Sequence, residues 1–262
     1  MKRIFLLTTV FALGCAADPS ASAPAHAPVI RRSDVAELGR RIWRNECGGT
    51  REGLVTWNAG EAFPSLGIGH FIWYPEGVAG PFEESFPQLM VYAARRGASV
   101  PSFFRGSAPW RDRGRFLSAA QSRQTEAMRD WLAAHVELQA AYLVERSRRS
   151  LGRMLAASSR PQEVETRYNA LRATPKGCYA LVDYVNFKGE GTKAGERYKG
   201  RGWGLLQVLE EMDGFPSGDA ACREFSRAAS VVLKRRVSNS PPSRGEARWL
   251  AGWLNRCRTY AP

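Results

Sequence analysis

Ser33 to Gly49 reads SDVAELGRRIWRNECGG, and the spacing within it predicts an amphipathic helix that ends on an acid. Ser33-Asp34 has the form of a helix start, Val35, Leu38 and Ile42 fall on one face, and Gly48-Gly49 stops the run. Extending that face by four residues lands on Glu46. A carboxylate on the apolar face, in the last turn, loses hydration and meets the negative end of the helix dipole. Both effects favour the protonated acid, which general acid catalysis near neutral pH requires. The competing reading is a salt bridge from a nearby arginine.

On the amino-terminal side of this helix the chain reads as an address. Lys2 and Arg3 precede an apolar run from Ile4 to Leu13, too short to span a bilayer and suited to a secretory signal. Ala12-Leu13-Gly14-Cys15 resembles a bacterial lipobox, which implies cleavage before Cys15 and lipidation of its thiol. Residues 1–15 are then a lipoprotein signal, 16–32 an Ala/Pro/Ser-rich tether and 33–262 the folded domain. The expected location is periplasmic or anchored at the outer membrane, with membrane contact through the lipid alone. A monomer is expected.

The 262 residues carry a formal charge of +13 and are 44% hydrophobic, enough to build a core. An exported basic chain meets no nucleic acid, so its anionic neighbours are cell-wall polymers, lipopolysaccharide and lipid. With Cys15 set aside, Cys47, Cys178, Cys222 and Cys257 allow up to two disulfides in three connectivities. No ligand spacing of cysteine and histidine occurs, so neither a metal nor another cofactor is expected.

Towards the carboxyl terminus, residues 50–80, rich in Gly, Pro, Trp and Phe, predict loops and short strands. Helices are expected over 86–96, over one long stretch from Ser122 to Leu155, over an apolar central segment 178–187, and near 219–237 and 245–258. A glycine-rich loop over 189–202 leads into an apolar segment, 203–212. The fold class is mainly α, with a small β-rich or irregular early element.

Downstream of Glu46 stands Ser65-Leu66-Gly67-Ile68-Gly69-His70. A helix-terminal glutamate, then a hydroxyl residue directly before Gly-Ile-Gly-His, resembles the phage-type lysozymes and their chitosanase relatives. The resemblance covers roughly 25 to 40 residues and implies a two-lobed lysozyme-like fold. It implies that Glu46 protonates the leaving oxygen and that Ser65 helps hold water. Two departures stand out: Ser65 replaces the usual threonine, and no aspartate lies between Glu46 and Ser65. Glycoside hydrolysis uses a second carboxylate, and Glu61 is the candidate, with Asn58 as the neighbouring amide.

A second echo occurs at Gly189-Glu190-Gly191 and Gly202-Trp203-Gly204-Leu205-Leu206-Gln207. It is similar to the Gly-Leu-Met-Gln segment that follows the catalytic glutamate of Slt-type lytic transglycosylases. Glu190 would then be the acid, or would line the cleft with Trp203 and Gln207. Trp57, Phe71, Trp73 and Tyr74 lie beside the first motif, where flat rings suit sugar faces, and His70 is a further binding candidate. The resemblance implies a muramidase-like hydrolase acting on β-1,4 linkages of peptidoglycan or a related N-acetylhexosamine polymer. The alternatives are a non-catalytic, lipid-anchored wall-binding lipoprotein and a transglycosylase using Glu190.

Overall fold

The computed structural model describes residues 32–80 and 82–262, so the signal segment, Cys15 and the tether up to residue 31 lie outside the described residues. The first helix, α1 (Arg32–Cys47), buries Leu38 and Ile42 as its spacing dictates. It stops because Gly48 and Gly49 both take left-handed φ, +63° and +70°, and the Gly49 amide reaches back to the Trp43 carbonyl at 3.1 Å.

The early β element is real and small. Strands β1 (Val55–Thr56), β2 (Ser65–Leu66) and β3 (Phe71–Ile72) form an antiparallel sheet in that order, with Thr56 opposite Ser65 and Leu66 opposite Phe71. α2 (Phe86–Arg95) packs against β3. A short α3 (Arg113–Ser118), absent from the sequence expectation, starts where the Asp112 side chain accepts from the Arg115 amide at 2.8 Å.

The long helix expected from Ser122 to Leu155 is two helices, α4 (Arg123–Ala134) and α5 (Val136–Ala157). His135 leaves helical geometry, at φ −115° and ψ 30°. The Leu132 carbonyl accepts from Gln139 Nε2 at 2.7 Å, which offsets a helical bond lost at the break. Gln139 Oε1 in turn accepts from the Ile68 amide at 2.9 Å. One buried side chain therefore ties the break to the Gly67–His70 turn.

The remaining helices are α6 (Pro161–Arg172), α7 (Pro175–Lys188), α8 (Leu205–Glu211), α9 (Gly218–Asn239) and α10 (Ala247–Arg258). Of these, α6 was not expected. A small hairpin, β4 (Arg197–Tyr198) with β5 (Arg201–Gly202), precedes α8. The fold is mainly α. α7 is its central helix: residues 177–185 are all buried, and it packs on α1, α5, α6, α8 and α9. No helix among the described residues is long and apolar enough to cross a membrane.

The disulfides expected of Cys47, Cys178, Cys222 and Cys257 are not formed; all four are buried free thiols. Each is packed as a small apolar side chain. Cys47 Sγ donates to the Gly67 carbonyl at 3.6 Å, whereas Cys222 Sγ lies 3.9 Å from Thr174 Oγ1.

Candidate functional site

Glu46 occupies the last turn of α1 with only 11% of its side chain exposed. Two groups from distant parts of the chain meet it. The Arg256 guanidinium, from α10, hydrogen-bonds Glu46 Oε1 through Nη2. His70 Nδ1, from the β2–β3 turn, lies 3.9 Å from Oε2. The competing reading of the sequence is therefore the resting arrangement, although the arginine comes from 210 positions away rather than from α1 itself. An ion pair stabilises the carboxylate and opposes the protonated form expected from burial and dipole alone.

Arg256 is itself held. Its Nε and Nη2 donate to Asp183 Oδ2 and Oδ1, both at 2.8 Å, and the Tyr260 hydroxyl donates to Oδ2 at 2.6 Å. Asp183 is 1% exposed in the middle of α7. Desolvation pushes its carboxyl upward, and the guanidinium fork and tyrosine hydroxyl are what stabilise its ionised form. Sequence reading passed over Asp183, Arg256 and Tyr260. The available signal was the single acid inside the apolar run Cys178–Val185, since a buried carboxylate demands a partner.

His70 sits in left-handed backbone, φ +47°, a conformation that few residues other than glycine adopt. Its amide donates to Gly67 O at 3.2 Å, and its Nε2 is 3.7 Å from Cys47 Sγ. Burial lowers its pKa below the ordinary value, so at neutral pH it presents a neutral ring to Glu46. Cys47 is no nucleophile here, because burial pushes its thiol up to about 12.

No protein-family model, curated protein or solved structure matches the chain. The likeness to phage-type lysozymes consequently stands on Glu46 and the Ser65–His70 segment alone.

The other selected residues divide. Glu61 lies in the connection between β1 and β2, whereas His70 and Glu46 lie beyond the other end of β2. Glu61 Oε2 accepts from Asn58 at 3.2 Å, and its carbonyl accepts from the Trp57 indole at 2.8 Å. Ser65 is buried within β2, 4% exposed. The aromatic rings chosen as sugar platforms are core residues instead. Trp57, Phe71, Trp73, Tyr74 and Trp203 are all buried, and Trp73, fully inaccessible, packs on Phe86 with their rings inclined by 39° and its indole donating to Gly106 O at 2.8 Å. Apolar area this large stabilises the fold more by burial than it would in contact with a hydrated ligand.

The second segment is also committed to structure. Gln207 accepts from the Gly204 amide at 3.0 Å and donates to Gly191 O at 3.1 Å, clamping the glycine loop rather than facing a ligand. A Cβ at Gly191 would stand 2.0 Å from Gln207 Oε1, and its φ of +82° also favours glycine. Glu190 is paired with Arg153, whose Nε donates to Oε2 at 2.8 Å. A cavity of about 790 Å³ is lined by Arg40, Trp43, Tyr92 and His135, away from every residue singled out in the sequence except α1 itself.

Proposed function

We propose that the protein is a cell-envelope glycoside hydrolase of lysozyme-like, two-lobed architecture. Its substrate would be a β-1,4-linked N-acetylhexosamine polymer, peptidoglycan first. The observation that carries this reading is a convergence at one point: the glutamate ending α1, the imidazole after Gly-Ile-Gly, and an arginine anchored on a buried aspartate. The β1–β3 sheet with α2 would form the small lobe, and α6 to α10 the large one, with α5 between them.

Glu46 is the group that transfers the proton. In the resting protein Arg256 holds it as a carboxylate, and two further bonds tie Arg256 to Asp183. A glycan covering Glu46 excludes water, raises the cost of its charge and favours uptake of the proton that the leaving oxygen needs. His70, neutral and close, positions the carboxyl. Glu61 remains the candidate second carboxylate, at the opposite end of β2 from Glu46, and the separation of the two carboxyl groups decides between inversion and retention.

A second reading, binding to the wall without turnover, is favoured by one fact: the Glu46 carboxylate is paired rather than free. Product chemistry separates the readings. Sacculi incubated with the full chain are expected to release soluble muropeptides with reducing ends. Release of 1,6-anhydro products would move the acid to transglycosylase chemistry, and sedimentation with sacculi without any release would establish the binding reading.

A further inference from the structure

The site has an aromatic approach that the sequence did not single out. Trp249 and Trp253 stand one turn apart on α10, their rings 6.1 Å apart and inclined by 28°. Trp249 is 43% exposed, whereas Trp253 is half-buried against the core. Phe187, at the end of α7, is 6.4 Å from Trp253, and the Arg256 guanidinium lies 4.3 Å over the Phe187 ring. Arg256 is the residue bonded to Glu46. Aromatic rings thus run from open solvent to the candidate acid, with the exposed Arg248 guanidinium 4.3 Å over Trp249, where a sugar ring would displace it, and that of Arg236 5.0 Å over Trp253.

A cation is set into that row. Lys188 Nζ lies 3.4 Å from the Trp253 centroid and 4.0 Å from that of Phe187, and no carboxylate pairs with it among the described residues. The nearby Glu246 is already engaged by the Arg236 guanidinium, at 2.8 Å. Cation–π attraction offsets only part of the cost of a desolvated ammonium. An anionic group arriving from a ligand would supply the missing partner.

We propose that Trp249, Trp253 and Phe187, with Lys188 among them, form a binding platform for an acidic amino-sugar chain leading to Glu46. The assignment rests on the glycan reading of the Glu46 site. Pyranose rings present apolar C–H faces that stack on the electron-rich faces of indoles. A carboxylate on the same chain, such as a lactyl ether or a stem peptide provides, pairs with Lys188.

Isothermal titration of the full-length protein separates this platform from the catalytic reading. The probes are a neutral N-acetylglucosamine hexamer and an acidic N-acetylglucosamine–N-acetylmuramic acid tetrasaccharide, used at low temperature to suppress turnover. Trp249→Ala is expected to weaken both sugars about fivefold to tenfold, with Trp249→Phe restoring most of the loss. Lys188→Gln is expected to weaken the acidic sugar alone. Wild-type binding that neither variant changes overturns the platform and leaves the Glu46 reading standing. If the wild type binds neither sugar, both fall together. Unchanged thermal unfolding of the exposed Trp249→Ala variant shows that any lost affinity is local.

Discussion

At the scale of single residues, Glu46 and Asp183 share the charge of one guanidinium, that of Arg256. Arg256 gives two bonds to Asp183 and one to Glu46, so removing the aspartate charge frees the guanidinium to follow the glutamate. Asp183→Asn also leaves the Tyr260 hydroxyl without a charged acceptor and Arg256 with the Glu46 carboxylate alone. Breaking one side of such a buried pair is expected to cost about 3–5 kcal/mol, read as a lower midpoint in urea unfolding. Lys188 adds a pH signature. Burial, with repulsion from Arg236, pulls it down to about 7 from 10.5. Between those values the unfolded chain binds the extra proton, so this group makes stability rise with pH. Lys188→Met removes that dependence. Its stability relative to the wild type is expected to be greatest at about pH 6 and to fall towards about pH 9, whereas a constant difference contradicts the shift.

At the scale of elements, side chains far apart in sequence decide where helices stop and turns sit. The face Val35, Leu38, Ile42 placed Glu46 correctly, because helical spacing and a glycine stop are local signals. The break at His135 was illegible for the opposite reason. Nothing around it is a glycine or proline; the Leu132 carbonyl accepts from both the His135 amide and Gln139, whose other end holds the Ile68 amide. Gln139→Leu is expected to leave the buried Ile68 amide unpaired and the Leu132 carbonyl with the His135 amide alone, and to cost about 1–3 kcal/mol, measured as a lower Tm. The same variant is expected to loosen the Gly67–His70 turn, seen as faster hydrogen exchange at Ile68. Trp57 and Trp73 flank the Ser65–His70 motif in the chain, which suits sugar contacts, but they lie at the end of β2 away from the Gly67–His70 turn. Both are buried in the core, whereas the exposed Trp249 stands on α10, a segment whose sequence signal is only its helix.

At the scale of the whole molecule, the mainly helical class and the small early sheet were legible from composition and periodicity. The Glu46 network was not, because its parts come from α1, α7, α10 and the β2–β3 turn. Only packing of α7 at the centre brings them together. The formal charge of +13 is a property of the whole chain rather than of this point. Screening lengths fall from about 30 Å at 0.01 M salt to about 10 Å at 0.1 M. Retention on anionic sacculi is therefore expected to weaken steeply over that range, while affinity for a short neutral sugar changes little; equal salt dependence for both would contradict a role for surface charge. The central claim concerns Glu46, and muropeptide release from purified sacculi by the wild type and by Glu46→Gln tests it most directly. Release is expected to fall at least about a hundredfold in the variant with sacculus binding retained; equal release by the two proteins would contradict the assignment.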